Sequence, residues 1–400
     1  MKQTERGSAP VLAEAAIDLR HVTSASTIYA GQRSLTALSR ELARAGASSV
    51  LIVTSASLAG QQAHQLLLEA CDDLRVTTFE GVRQFSPTNV VSALAAVLDE
   101  VSADTIVVLG GGSAMVTARA AAVLVGERRP LQELFTYRDD DGRVVNPRMP
   151  RPKLPIWIVP STPTPAISKA GAALRDFGTG ERVAVFDPKA RASGIVIDPT
   201  IVRSSPALLF IATAMNGLSM GVEGLLATSS DPFAEALLSQ GVREIIENLP
   251  AVHADAGDWE TRARVVMGAI LTGQGSDYSG AGLALALSHE IAPHSTVAGG
   301  IVESILLPHT VGFALAAVPH RVRVIAQALD ADDHTVDGIK TALRAFAARL
   351  GLPSRLRDIG IERARLQGAL ERSVLDWAMN PRMPRRASLG DMESIVAGAW

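Results

Sequence analysis

The first half of the chain alternates short runs of apolar, β-branched residues with longer stretches in which apolar residues recur at helical spacing. Such runs are typical of strands buried on both faces, and their alternation with helices predicts a mainly parallel sheet with helices on both sides. The runs that predict strands are 49–54, 75–79, 105–109 and 156–159. Two further stretches, 183–186 and 194–197, are interpreted as a strand pair that closes the same α/β domain.

The pattern of apolar residues changes after Asp198 and Pro199, where long alanine- and leucine-rich helical patterns begin. A chain of 400 residues also exceeds what one compact core usually takes, so two domains are expected. We divide the chain into an N-terminal extension (1–26), an α/β domain (27–203) and an all-helical domain (204–400). Prolines punctuate the helical patterns at 206, 250, 293, 308 and 353.

Composition excludes several classes of function. A formal net charge of −3 gives no electrostatic case for binding nucleic acid or an anionic membrane surface. A single cysteine, Cys71, cannot form an internal disulfide or a multi-thiolate metal site. No export signal is recognised, and no uncharged apolar run approaches the roughly 18 residues of a membrane span. A cytoplasmic protein that acts on a small molecule is the expectation.

The segment of the first half best suited to bind a ligand is Gly110-Gly111-Gly112-Ser113, which lies between a predicted strand and a predicted helix. Glycines let backbone N–H groups approach an anion, and the helix would present its positive end there. Ser113 could cap this helix and contact a phosphate oxygen. The motif is neither the Rossmann fingerprint nor a Walker loop. It therefore indicates either a pyrophosphate-binding corner or only a tight turn.

Six blocks along the chain carry a resemblance to a known family. They are 107–113 (VVLGGGS), 154–162 (LPIWIVPST), 197–199 (IDP), 214–218 (AMNGL) with Glu223, 287–289 (LSH) and 305–309 (ILLPH). In order and spacing they resemble the group III (iron-containing type) alcohol dehydrogenases, which include the maleylacetate reductases and are related in fold to dehydroquinate synthase. The resemblance runs from Thr27 to Trp400. It implies a nucleotide-binding α/β domain, a helical C-terminal domain, and an active site in the cleft between them.

The resemblance also assigns positions to a divalent metal site that one aspartate and three histidines form in other members. Those positions correspond here to Asn216, Met220, His289 and Gly299. An amide, a thioether and a glycine are poor substitutes for carboxylate and imidazole ligands of Fe²⁺ or Zn²⁺. We therefore expect no metal ligands and no bound metal. Asparagine at the aspartate position is similar to the maleylacetate reductases, which often work without a metal.

The same resemblance implies an NAD or NADP site. Beside the residues 110–113, it assigns the loop that contains Ser161, Thr162 and Thr164, and the basic residue Arg182 near the nicotinamide ribose. Ser55 stands where NAD-preferring members often carry an acid, so a 2′-phosphate would be tolerated. Family members commonly form dimers, and a homodimer is expected here.

His289 is the leading catalytic candidate, as the group that polarises a substrate carbonyl and supplies the proton. Asn216 could donate a hydrogen bond to the developing oxyanion or only cap its helix, and His294 is a weaker candidate. Arg119 could contact phosphates. The sequence thus predicts a metal-independent NAD(P)H-dependent reductase of a small carbonyl or oxo-acid compound, similar to maleylacetate reductase. The alternatives are a non-redox hydrolase, lyase or cyclase with His289 as acid and base, or an inactive binding subunit.

Overall fold

The computed structural model describes residues 21–22, 25–228, 231–254, 258–376, 379 and 382–400. Most of the segment that we interpreted as an N-terminal extension, 1–20 and 23–24, lies outside the described residues.

The N-terminal part is built on a parallel sheet of six strands. The strands of the chain are β1 (Thr27–Ala30), β2 (Ser49–Val53), β3 (Arg75–Phe79), β4 (Thr105–Gly110), β5 (Tyr137–Arg138), β6 (Val144–Val145), β7 (Ile156–Pro160), β8 (Gly171–Arg175), β9 (Arg182–Phe186) and β10 (Gly194–Ile197). The sheet order is β1-β10-β7-β4-β2-β3, and every pairing in it is parallel. Helices on both faces bury it, as the apolar runs predict.

The helices of this part are α1 (Ser34–Arg44), α2 (Gln62–Glu69), α3 (Thr88–Glu100) and α4 (Gly112–Glu127). Side chains of α1 and α2 share a buried cluster with Ile52 and Leu109 on one face of the sheet. Side chains of α3 and α4 share a second cluster with Val53 and Val108 on the other face. Because successive side chains of a strand point to opposite faces, alternate residues along β2 and along β4 pack into the two different buried clusters.

The expected closing strand pair is wrong in its pairing. Strand β10 lies inside the main sheet between β1 and β7, whereas β9 pairs antiparallel with β8 in a separate hairpin. The central strand β10 is buried at all four residues, and β9 is buried at one of five. The sequence analysis also missed the edge strand β1, whose residues are mostly exposed and show no apolar run.

From Pro199 onward, every regular element among the described residues is a helix, as expected for the second domain. The α-helices are α5 (Pro199–Arg203), α6 (Ala207–Gly224), α7 (Pro232–Ala254), α8 (Trp259–Ser279), α9 (Leu283–Ile291), α10 (Gly299–Leu315), α11 (Val322–Ala328), α12 (Val336–Arg349), α13 (Leu366–Ser373) and α14 (Leu389–Ala399). Asp198 begins this part by accepting hydrogen bonds from the N–H groups of Thr200 and Ile201. Two prolines expected to punctuate the helices, Pro250 and Pro308, instead lie inside α7 and α10.

Helix α6 is the central helix of the second part, and it packs against α7, α8, α9 and α10. It is the one helix among the described residues long and apolar enough to cross a membrane by length and composition, yet 72% of it is buried inside the protein. Its place in the fold accounts for its composition.

Candidate functional site

Strands β2 and β4 lie side by side at the point where the connections of the sheet diverge. Val53 pairs with Val108, so the carboxyl ends of the two strands meet at the same edge. Helix α2 leaves β2 toward one face and helix α4 leaves β4 toward the other, as their separate buried clusters show. Open α/β sheets bind their ligands in the crevice at such a topological switch point. Ser55 follows β2 there, and the glycine sequence follows β4.

Residues 110–113, which we call the glycine corner, form the start of α4. Gly110 has φ +142°, a conformation that L side chains rarely adopt. The N-cap residue is Gly111, and no side chain among the described residues caps the first turn of α4. The first N–H groups of a helix have no partner within the helix, and an uncapped N-terminus favours an anion. The glycine corner therefore fits a phosphate group.

The structure brings the predicted loop 161–164 against the glycine corner. The N–H of Ser161 donates to the carbonyl oxygen of Gly110 over 3.0 Å. A Cβ atom at Gly111 would lie 2.7 Å from the hydroxyl oxygen of Thr162, and one at Gly112 would lie 3.3 Å from that of Thr164. Small residues at the corner are therefore required for this close approach. Thr164 also caps the short 3-10 helix Pro165–Ile167.

A cavity of about 290 Å³ lies between the two parts of the protein. We call it the cleft cavity. Arg175 and Arg182 reach it from the β8–β9 hairpin, and Asn216, His289 and Glu303 reach it from α6, α9 and α10. The predicted site residues Arg182, Asn216 and His289 are therefore brought together.

The cleft cavity adjoins the glycine corner through the loop that follows β3. Phe85 lines the cavity, and its neighbour Ser86 donates a hydrogen bond to the carbonyl oxygen of Ser113 over 3.1 Å. Both loop residues have positive φ angles, 64° and 47°. Non-glycine residues seldom adopt this conformation, and they cluster at ligand-binding sites. A dinucleotide with its phosphates on the corner would thus extend toward the cavity.

Glu303 is hydrogen-bonded to the side chain of Asn216. The amide nitrogen of Asn216 lies 2.9 Å from each carboxyl oxygen of Glu303, so the amide hydrogens point at this acid. Burial raises the pKa of Glu303 to about 7, against the opposing effect of the Asn216 hydrogen bonds. Sequence reasoning missed this residue. The signal was available, because Glu303 is the one charged residue in the apolar run 299–308, and a buried charge requires partners.

His289 is held by an acid that sequence reasoning also missed. Its Nδ1 atom lies 3.0 Å from Oδ2 of Asp376, and the same oxygen accepts from a guanidinium nitrogen of Arg182 over 2.9 Å. The side chain of Asp376 is 3% exposed and that of His289 is 21% exposed. Arg182 therefore bonds to Asp376 in this structure, besides lining the cavity where the sequence analysis placed a cofactor ribose.

Two other candidates lie elsewhere. His294 ends the short 3-10 helix Ala292–His294 and is not among the residues that line the cleft cavity. Arg119 is buried on α4, and it donates to the carbonyl oxygens of Ala166, Gly171 and Ala190. The interpretation of Arg119 as a phosphate ligand is wrong, since its hydrogen bonds join the surrounding loops.

The donor set of the cleft does not fit the metal site that the resemblance describes. Met220 is buried one turn after Asn216, and Gly299 contributes no side chain. The carboxylate of Glu303 is hydrogen-bonded by the Asn216 amide. Among the described residues, no group of three or more His, Cys, Asp or Glu side chains is placed to hold a metal ion. One imidazole and one amide-bonded carboxylate are too few ligands for Fe²⁺ or Zn²⁺.

Two family models match nearly the whole chain. The model for iron-containing alcohol dehydrogenase matches residues 25–199, and the C-terminal model of the same family matches residues 210–400. The chain belongs to the iron-containing alcohol dehydrogenase family. The resemblance on which the sequence analysis relied is thus confirmed, and so is the expected fold class.

Curated relatives are distant but cover most of both chains. An NAD-dependent methanol dehydrogenase from Bacillus methanolicus is 25% identical over 92% of this chain and 97% of its own length. A maleylacetate reductase from Sphingobium indicum is 26% identical over 88% and 90%. A lactaldehyde reductase from Escherichia coli K12 is 24% identical over 94% and 98%. The protein is therefore an oxidoreductase of the alcohol and aldehyde type.

Solved structures show the same fold at low identity. A crystal structure of 1,3-propanediol oxidoreductase superposes with a TM-score of 0.86 at 21% identity, covering 94% of this chain and 98% of that one. A maleylacetate reductase from Agrobacterium tumefaciens superposes with a TM-score of 0.78 at 20% identity, covering 96% of this chain and 99% of that one. Both likenesses show that this chain has the fold of the two solved enzymes.

Proposed function

We propose that this protein is an NAD(P)H-dependent reductase of a small carbonyl or oxo-acid compound, and that it works without a bound metal ion. The observation that carries the proposal is the pairing of an uncapped glycine corner at the switch point with a cavity that contains His289. Relatives named as NAD-dependent methanol dehydrogenase and maleylacetate reductase support this reading.

The nucleotide would lie with its phosphates on Gly111, Gly112 and Ser113. Ser161, Thr162 and Thr164 border this corner, and Ser55 follows the adjacent strand, where the adenosine ribose of a bound dinucleotide would lie. A serine there neither attracts a ribose hydroxyl as an acid does nor repels a 2′-phosphate. We therefore propose that NADPH is accepted alongside NADH.

The chemistry in the cleft then depends on His289. Reduced nicotinamide supplies the hydride when it is bound. His289 donates a hydrogen bond to the substrate carbonyl oxygen and gives up a proton to that oxygen as negative charge develops on it. Asn216 was expected to donate a hydrogen bond to the developing oxyanion or to cap its helix. We propose a different role, because its amide hydrogens point at Glu303. It positions this acid beside the cavity.

Nucleotide binding provides the first test. The protein is titrated with NADPH and with NADH while nicotinamide fluorescence and thermal shift are recorded. In the variant Ser113→Asp, an acid at the second residue of α4 favours the helix but repels phosphate, so folding is kept and affinity falls at least about tenfold. Gln367→Asp puts an acid at the second residue of α13, away from the glycine corner, and is the matched control.

Indifference of the wild-type protein to both nucleotides at millimolar concentration would remove the proposal. Equal affinity in the Ser113→Asp and Gln367→Asp variants would remove the glycine corner as the phosphate site.

Turnover provides the second test. NAD(P)H oxidation is followed with short aldehydes and oxo acids, on protein dialysed against a chelator and analysed for metal content. We expect activity to survive dialysis, and His289→Ala to lower kcat by about 10²- to 10³-fold. Activity that vanishes on chelation and returns with Fe²⁺ or Zn²⁺ would overturn the metal-free part. Substrate turnover without any nucleotide would favour the non-redox alternative.

A further inference from the structure

We propose that Asp376 is the positioning residue of the active site, and that it fixes the ring orientation and tautomer of His289 through the Nδ1 atom. The inference rests on the proposed role of His289 and adds a residue to it. Asp376 follows α13, 87 residues from His289 in sequence, and belongs to none of the six blocks of the resemblance.

The geometry assigns the two ring nitrogens of His289 different tasks. Its Nδ1 atom is 3.0 Å from Oδ2 of Asp376, a distance typical of a hydrogen bond to a carboxylate. A carboxylate only accepts, so the proton in the neutral ring is kept on Nδ1. His289 lines the cleft cavity, so Nε2 is the nitrogen that faces a substrate. The doubly protonated ring gives its Nε2 proton to the substrate oxygen and is left neutral, with its remaining proton on Nδ1.

Arg182 completes the arrangement from the other part of the protein. Its guanidinium nitrogen lies 2.9 Å from the same Oδ2 atom, and it belongs to β9 while His289 belongs to α9. This cation pairs with Asp376 in a place where the acid is almost fully buried. The orientation of the catalytic imidazole is therefore tied to the hairpin that borders the proposed nicotinamide position.

Other charges face His289 and must be counted when its protonation is measured. Arg175 and Glu303 line the same cavity. Glu290, the next residue of α9, pairs with Arg372 of α13 over 2.6 Å. All of these groups are retained in the variants below, so a difference between the variants reports on the changed acid.

The test compares Asp376→Asn with wild type. An amide can present its NH₂ to Nδ1, which holds the neutral ring in the Nε2–H form and opposes the doubly protonated ring that donates the proton in the reduction. We expect kcat to fall about 100-fold or more and KM to change less than about threefold. In ¹⁵N-histidine spectra, the Nδ1–H signal of His289, assigned by its absence in His289→Gln, should be lost or exchanged for an Nε2–H signal.

The chain offers a matched control. His21 and Asp231 form the same contact, Nδ1 to Oδ2 at 3.0 Å, outside the cleft cavity. Asp231→Asn keeps an oxygen that can cap α7, where the acid now accepts from the N–H groups of Phe233 and Ala234. We expect this variant to leave kcat and the His289 signals unchanged, which separates a positioning effect from a general effect of losing a buried acid.

A double-mutant comparison separates this inference from the proposed function. If Asp376 acts through His289, the combined variant His289→Ala with Asp376→Asn is no slower than His289→Ala alone. If His289→Ala costs activity and Asp376→Asn does not, the positioning role is wrong while the proposed function stands. If His289→Ala costs nothing, the proposed chemistry itself fails. An unchanged Nδ1–H signal in Asp376→Asn would overturn the inference whatever the substrate is.

Discussion

Glu223 should make the stability of this protein fall as the pH rises, and the variant Glu223→Gln should remove that dependence. Glu223 on α6 is 7% exposed, and its Oε1 atom accepts from the N–H of Ala284 over 2.8 Å at the start of α9. Its Oε2 atom is buried without a hydrogen-bond partner among the described residues. A Gln side chain keeps one oxygen that can accept from the N–H of Ala284, and it replaces the other carboxyl oxygen by an uncharged NH₂ group.

The size of the effect follows from the pKa of this acid. Burial raises the pKa of Glu223 from an ordinary 4.5 to about 7. Between these values the folded protein holds a proton that the unfolded chain has released, so folding stability falls as the pH rises from about 4.5 to about 7. The full loss is about 3 kcal/mol, since one pKa unit corresponds to about 1.4 kcal/mol. Glu303 adds a similar dependence to both proteins, so the difference between wild type and variant reports mainly on Glu223.

The assay is denaturant unfolding of wild type and Glu223→Gln at pH 5 and pH 8. We expect the variant to match wild type within about 1 kcal/mol at pH 5 and to gain about 3 kcal/mol on it by pH 8. Glu247→Gln, on an exposed face of α7, is the control and should change stability by less than about 0.5 kcal/mol. The same difference between Glu223→Gln and wild type at both pH values would refute the reasoning.

Three further predictions concern packing, buried charge and nucleotide choice. A Cβ atom at Gly300 would lie 1.8 Å from the carbonyl oxygen of Ala212, so Gly300→Ala should separate α6 from α10 and cost about 3 kcal/mol in denaturant unfolding. The side chain of Lys153 is fully buried against Glu127, with 2.5 Å between their charged atoms, so Lys153→Met should cost about 3–5 kcal/mol in the same assay. Ser55→Asp should weaken NADPH binding relative to NADH by about tenfold, measured by fluorescence titration, because an acid repels the 2′-phosphate.

The fold was predictable where the sequence carries strong local patterns. Strands such as β2 and β4 are buried at every residue, and burial on both faces produces continuous apolar runs that a reader can find. Strand β1 lies at an edge and is mostly exposed, so its residues carry no such run. Whether β9 joins β10 or β8 depends on long-range pairing, which local patterns do not encode.

The candidate site was predictable only in part, for a similar reason. His289 and Asn216 were found because each lies in a block with family resemblance. Their partners Asp376 and Glu303 each lie 87 residues further along the chain, and single acids at that separation have no spacing to mark them. Glu303 at least stands in an apolar helix, whereas Asp376 follows a helix end and carries no signal of its own.

The identity of residue 216 is best understood together with Glu303. The atom at the amide position lies 2.9 Å from both carboxyl oxygens, so an aspartate there would place two acids in contact inside a buried cleft, where both cannot ionise without a cation between them. Asparagine supplies hydrogens instead, and the pair is satisfied internally. An exchange of this kind leaves a cation little to bind, and it leaves the imidazole of His289, held at Nδ1, as the group able to protonate a substrate oxygen. The proposed metal-free reduction is the chemistry that this arrangement of amide, acid and imidazole can support.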